Sequence, residues 1–200
     1  MEYNNAGYNF FATIARMKYI ERWALMRNTR PENLSEHSLE VSMIAHALCV
    51  IGNVRYSKEL NEEKAALMGI YHDASEIITG DMPTPIKYYN RDMKETFRKI
   101  EDEANKTLLN QLPEDMKAYY EKLFFKSEDY AYEWKLVKAA DKLSALIKCM
   151  EEEKTGNKEF VKARETIAAA VGKLAETLPE VKEFVNDFLG AYNKTLDELN

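Results

Sequence analysis

Apolar residues return at helical spacing along most of the chain. From about Phe10 to Leu25 the bulky members are Phe10, Phe11, Ile14, Ile20 and Trp23, which predicts a first helix. RNTRPEN then breaks it, because Pro31 disfavours a helical approach and Asn28, Thr29 and Asn33 suit turns. Ser35 offers an N-cap to a second helix with an apolar stripe of Leu39, Met43, Ile44, Ala47, Leu48 and Ile51. Asn61, with Glu62 and Glu63 at the positive end of the dipole, starts a third helix through KAALMGIYHDASEII. GDMPTPIKYYN reads as a loop without a helix, since Gly80, Pro83 and Pro85 fall close together. Further helices are expected from Asp92 to Gln111, from Pro113 at N1 to about Phe125, from Tyr132 to Lys154, from Lys158 to Leu178, and from Pro179 to Asp197.

Composition supports that pattern. Only 7 Gly and 5 Pro punctuate 200 residues, so propensity favours helices, and the expectation is an all-α single domain over 1–200, a bundle of about seven helices. No repeat, low-complexity tract or linker divides the chain. The C-terminal helices, 158–198, read as generic amphipathic segments.

A net charge of -6 and a pI near 5.3 argue against accumulation on nucleic acid or on an anionic membrane. A small phosphorylated substrate remains compatible, because a bound cation and a few placed basic residues set the local field. Cys49 and Cys149 sit in apolar helical stretches without zinc-ligand spacing and read as core. The start MEYNNAGYNF lacks a basic segment followed by an apolar run, and no stretch approaches about 18 uninterrupted apolar residues, so a cytoplasmic location is expected.

The chemistry lies in polar groups placed where the pattern predicts packing. His37 stands in the first turn of its helix, His72 and Asp73 near the end of an apolar one, and Asp141 among Leu, Ala, Val and Ile. Singly, each reads as a hydrogen-bonded structural or solvent-facing residue. Together, two imidazoles and two carboxylates form a nitrogen/oxygen donor set suited to a transition metal with positions left for water. His46 follows His37 by nine residues, about 900° of helix, and so points away from that set. Met17, Met26, Met43 and Met68 read as core filler.

The order H, HD, D over three helices resembles the HD-domain phosphohydrolases. Within them, RWALMRN at 22 to 28, ENLSEHSLEVSMIAHAL at 32 to 48, YHDASEIITGDMPTPIKYYN at 71 to 90 and LVKAADKLSALIKCMEE at 136 to 152 are similar to the bacterial 5'-deoxynucleotidase family. The similarity spans roughly residues 8 to 160. The resemblance implies one divalent ion on His37, His72, Asp73 and Asp141. Cobalt, manganese or a similar transition metal is expected, with magnesium and zinc as alternatives.

It also implies catalytic roles for Glu76 and Arg22, and a substrate site of Arg22, Trp23, Asp81, Pro83 and Thr84. Glu76 would orient the water, Arg22 would bind phosphate, Trp23 would wall off the sugar and Asp81 would accept from the 3'-hydroxyl. Without the resemblance, Trp23 reads as core and Asp81 as a turn residue. A further acidic residue of the family has no clear counterpart in KSEDYAYEWK, with Glu128 as a candidate. The implied activity is hydrolysis of deoxyribonucleoside 5'-monophosphates by a homodimer. Two alternatives remain: an HD hydrolase of another nucleotide, namely a triphosphate, guanosine tetraphosphate or cyclic dinucleotide, and a non-catalytic helical protein cross-linked by its ion.

Overall fold

A computed structural model describes residues 7–87 and 89–199 and shows an all-helical architecture with one two-residue β pair. The central element is α2 (Leu34–Tyr56), against which α3 (Glu62–Tyr71), α8 (Ala131–Lys154) and α10 (Pro179–Asp187) pack. By length and a mean hydropathy of 1.2 over 18 residues α2 could cross a membrane, yet 56% of that window is buried inside the bundle. Around this centre run α6 (Arg91–Leu109), α7 (Glu114–Phe124) and α9 (Val161–Thr177). The core joins Phe10, Leu48, Met68, Leu108, Leu136, Leu143 and Ile147, each removed from water.

The expected first helix is the main departure. Helix α1 covers only Phe10–Ile14, a 3-10 turn covers Ala15–Tyr19, and the chain leaves helical geometry at Ile20 (φ -95°, ψ 110°). Strand β1 (Glu21–Arg22) then pairs antiparallel with β2 (Glu32–Asn33), and Leu34 N–H donates to the Ile20 carbonyl at 2.8 Å. Pairing across RNTRPEN requires extended backbone, so Ile20, Trp23 and Leu25 form no helical stripe; Leu25 is 78% exposed.

Smaller corrections follow the same hydrogen-bond logic. The α2 cap is Asn33 instead of Ser35: its side chain accepts from Ser35 N and Glu36 N while Glu36 accepts from Asn33 N, a capping box. Asn61 caps α3 as expected, accepting from Lys64 N at 2.8 Å. That helix stops at Tyr71 and does not run on through the HD pair. Two i→i+3 bonds, Ala74 N to Tyr71 O and Glu76 N to Asp73 O, tighten the backbone before α4 (Glu76–Thr79).

The proline-rich loop does contain a short helix, α5 (Thr84–Lys87), started where Ile86 and Lys87 N–H donate to the Pro83 carbonyl. The side chain of Thr84 lies outside the described residues. Pro113 caps α7 from outside, whereas Pro179 does occupy the first turn of its helix, which ends at Asp187 and not at Asp197. Met17 and Met68 are buried and Met26 half-buried, but Met43 and Leu39 are each 58% exposed, turned outward by the rotation of α2.

Candidate metal centre and substrate site

Three elements deliver the four expected ligands to one place. The capped first turn of α2 carries His37, the tightened turn after α3 carries His72 and Asp73, and the middle of α8 carries Asp141. One ligand atom from each lies within 4.8 Å of the others, a spacing that fits a single ion.

Both imidazoles are locked so that Nε2 faces the carboxylates. The His37 ring meets Ser144 Oγ through Nδ1 at 3.0 Å, and Ser144 gives its own proton to Glu40 Oε2. With that hydroxyl proton committed, Oγ accepts from Nδ1–H, leaving a lone pair on Nε2. His72 Nδ1 likewise donates to the Gly69 carbonyl at 2.7 Å. His37 Nε2 lies 3.4 Å from Asp141 Oδ1 and 3.7 Å from Asp73 Oδ2, and His72 Nε2 lies 3.0 Å from Asp73 Oδ2. None of these is aligned as a hydrogen bond, so both buried Nε2 atoms lack a hydrogen-bond partner. Two aimed nitrogens without partners facing two carboxylates form a donor set that a divalent cation satisfies.

In the ion-free cluster the two rings differ: burial works to lower the His72 pKa, but Asp73 and then Asp141 outweigh it and raise it, so these carboxylates hold positive charge where the ion would stand. Burial, followed by the nearby Arg22 guanidinium, lowers the His37 pKa and keeps the ring neutral, as a ligand must be. Burial works against ionisation of Asp73 and Asp141, but His72 holds the first below the usual carboxylate range, and His37 and Lys142 hold the second well below it. Glu76 behaves in the opposite way. It is 4% exposed, and burial, then Asp73 and Asp81, push its pKa up to about 9. Its Oε2 lacks a partner, and Lys87 Nζ stands 3.9 Å from its Oε1.

Of the residues expected to meet substrate, Arg22, Trp23 and Asp81 lie together beside the cluster. Burial disfavours the charged Arg22 guanidinium, but Glu32 first and then Asp141, Asp73 and Asp81 keep its pKa raised. Trp23 N–H donates to Asp81 Oδ2 at 3.3 Å, which joins the 21–23 segment to the proline-rich loop across 58 residues of sequence. Pro83, half-buried, begins α5 on that loop.

Several neighbours carried no sequence signal. Glu32 accepts from both Arg22 and Trp23, and Ser144 and Glu40 orient His37. Each is an ordinary polar residue whose role appears only once distant elements meet. Glu128 does not join them: it is exposed in a 3-10 turn before α8. His46 is exposed, as its spacing from His37 requires. Arg27 and Arg30 pair outward with Glu159 and Glu36.

The model of the YfbR-like 5'-deoxynucleotidases matches residues 9–192. The chain belongs to that family. A 5'-deoxynucleotidase of Erwinia tasmaniensis is 43% identical over 192 residues, covering 96% of each chain, and one of Photobacterium profundum is 44% identical over 196 residues, covering 96% and 98%. Among solved structures, an HD-domain phosphohydrolase of Listeria innocua superposes with a TM-score of 0.80 at 24% identity over 92% of this chain and 88% of that one. An HD phosphohydrolase of cyanophage S-2L, solved with dA and one catalytic Zn2+, gives 0.61 at 21% identity over 92% and 96%. At those identities the structures establish the HD-type fold. The YfbR-like chain is therefore a 5'-deoxynucleotidase, a phosphomonoesterase, with an HD metal site at His37, His72, Asp73 and Asp141.

Proposed function

We propose that the protein removes the phosphate of deoxyribonucleoside 5'-monophosphates using one transition-metal ion, cobalt or manganese in preference to magnesium. The carrying observation is the pair of buried, unpartnered His Nε2 atoms facing Asp73 and Asp141, with the Arg22 guanidinium in the same electrostatic cluster. Imidazole donors favour transition metals over magnesium, which prefers oxygen and keeps its water. A divalent ion held there supplies a Lewis acid that activates water near neutral pH and neutralises charge on phosphate.

The chain's own residues do the remainder. Arg22 presents a planar fork to phosphate oxygens. In the ion-free cluster burial, then Asp73 and Asp81, hold a proton on Glu76 near neutral pH. Extra positive charge at the cluster opposes those two, so Glu76 is the group that most readily gains or loses a proton as the reaction moves charge. The indole of Trp23 wedges beside the sugar and supplies a steric clash with a 2'-hydroxyl, since apolar contact alone rejects an added hydroxyl by only about a hundredfold. Asp81, with one oxygen on Trp23 N–H, offers the other to the 3'-hydroxyl, and Pro83 and Thr84 shape the loop that carries it.

The outward pairing of Arg27 and Arg30 leaves Arg22, Lys87 and Lys142 as basic groups coupled to the site, with Lys142 already paired to Asp141, which suits a monophosphate better than a polyphosphate. A homodimer is part of the same proposal, supported by Leu39, Met43 and Val54 of α2, which are 58%, 58% and 77% exposed. Light scattering on the wild type and Met43→Glu measures the association state.

Metal-stripped protein restored separately with cobalt, manganese, magnesium or zinc is the decisive assay. Phosphate release should be greatest with cobalt or manganese on deoxy monophosphates; release from triphosphates or ribonucleotides at equal rates would refute the proposal.

A further inference from the structure

We infer that Glu32 is the positioning residue through which the protein selects its substrate, because a single oxygen of its carboxylate holds the side chains of both Arg22 and Trp23. The inference rests on the roles proposed above for that pair. Glu32 Oε2 accepts from Arg22 Nη1 and, at 3.2 Å, from Trp23 Nε1. The Arg22 and Glu32 side chains are 11% and 12% exposed, so little water is at hand to replace either bond. The β pair sets Arg22 opposite Glu32, and Glu32 lies five residues before His37 on the strand that runs straight into α2. One carboxylate thus places the phosphate-binding and sugar-facing groups in register with a metal ligand.

Trp23 supplies a second, independent observation. Its φ of 59° lies in the left-handed region that a residue with a Cβ rarely adopts. Such strain costs on the order of 1–3 kcal/mol and persists only where the surroundings over-determine it. The contacts that do so are these: Asp81 takes the Trp23 N–H, Met26 N–H and the Asn28 side-chain amide donate to its carbonyl at 2.8 and 3.2 Å, Phe160 packs at 5.5 Å from its ring, and Glu32 takes the indole N–H. Among these partners, Glu32 is the one whose side chain also accepts a hydrogen bond from Arg22, whose guanidinium lies 5.8 Å from the Trp23 ring centre.

A carboxylate beside a phosphate-binding arginine weakens attraction for every phosphate alike. Its benefit is therefore orientation: binding strength shared by all substrates is traded for geometry that distinguishes them. That trade explains why Glu32, the strongest charged partner of Arg22, sits nearly buried at the rim of a site meant for an anion.

The test measures kcat/KM on the deoxy- and ribonucleoside 5'-monophosphates of one base with the metal-loaded enzyme. Glu32→Ala should lower kcat/KM on the deoxy substrate about a hundredfold, the cost of misplaced catalytic contacts. It should also cut the deoxy-to-ribo ratio about tenfold, as the sugar wall loosens. Glu32→Asp keeps the charge beside Arg22, but its carboxylate is shorter by one methylene and cannot reach both donors, so the ratio should fall again. Glu32→Gln should retain the wild-type ratio, because both donors converge on one oxygen and an amide oxygen can take its place.

Trp23→Ala is measured alongside. If it relaxes the ratio, Glu32→Ala in that background should relax it no further. If it relaxes the ratio while Glu32→Ala and Glu32→Asp keep the wild-type value and lose only melting temperature, the positioning role of Glu32 is wrong and the reading of Trp23 stands. If Trp23→Ala leaves the ratio untouched, the reading of Trp23 fails and takes this inference with it.

Discussion

Glu76 is squeezed by burial and by the charges of Asp73 and Asp81, and all three act to raise its pKa, from 4.5 to about 9. A carboxylic acid protonated in the folded chain and ionised in the unfolded one makes the native state bind more protons between those two values. Stability of the metal-free protein therefore falls as pH rises through that window. Glu76→Gln cannot ionise, so its melting temperature minus that of the wild type, both in chelator, should grow steadily from just above pH 4.5 towards pH 9. A flat difference would mean that the carboxyl is ionised throughout. In the metal-loaded enzyme the same variant should lose about 10²–10⁴ in kcat, the usual worth of a positioned acid or base, while metal bound per chain stays constant. Metal analysis together with turnover separates that outcome from loss of the ion itself.

Helix packing sets how closely His37 and His72 approach. A Cβ added to Gly69 of α3 would stand 2.7 Å from Ser42 Cα and 2.9 Å from Ser42 N, both backbone atoms of α2. Backbone cannot swing aside as a side chain would, so Gly69→Ala must part the two helices, at a cost of roughly 1–3 kcal/mol. Because the Gly69 carbonyl also fixes the His72 ring, metal affinity should fall together with stability. Calorimetric melting and metal titration would show both losses, and a variant that loses stability but binds metal as before would sever the link. Asn33→Ala acts at the other end of the same pair: removing the α2 cap should cost about 1 kcal/mol in denaturant unfolding.

These elements also show where sequence was informative. Asn61 with two acidic residues announced α3, Pro179 announced α10, and the long apolar periods of α2 and α8 were readable because burial of one face repeats along them. The four ligands were readable since a polar group in an apolar period is costly unless it has a partner. The 10–25 segment was not, because its apolar spacing fits a helix while its geometry is dictated by Glu32 and Asn33, residues brought alongside only by folding. Glu32 and Ser144 were hidden for the same reason: nothing local marks a carboxylate or hydroxyl whose partner comes from another element.

At the scale of the molecule, the remaining question is what the ion does for the fold. The four ligands tie α2, the turn after α3, and α8 together, but those helices already share a core of Val41, Leu48, Met68, Leu136, Leu143 and Ile147, all of it buried. That core does not depend on the cluster, so chelation should leave far-UV helicity nearly intact. A small metal-dependent domain would instead unfold on losing its ion. Binding to the native state alone should still raise stability, by about 2.7 kcal/mol at a free metal concentration a hundred times Kd. For a chain of this size that corresponds to roughly 5–10 °C in melting temperature. A reversible shift of that order on adding cobalt and then chelator, with the circular dichroism spectrum nearly constant, is the expected result. Loss of most helicity in chelator would instead make the ion a structural cross-link, and a melting temperature indifferent to metal would mean that the cluster does not hold it.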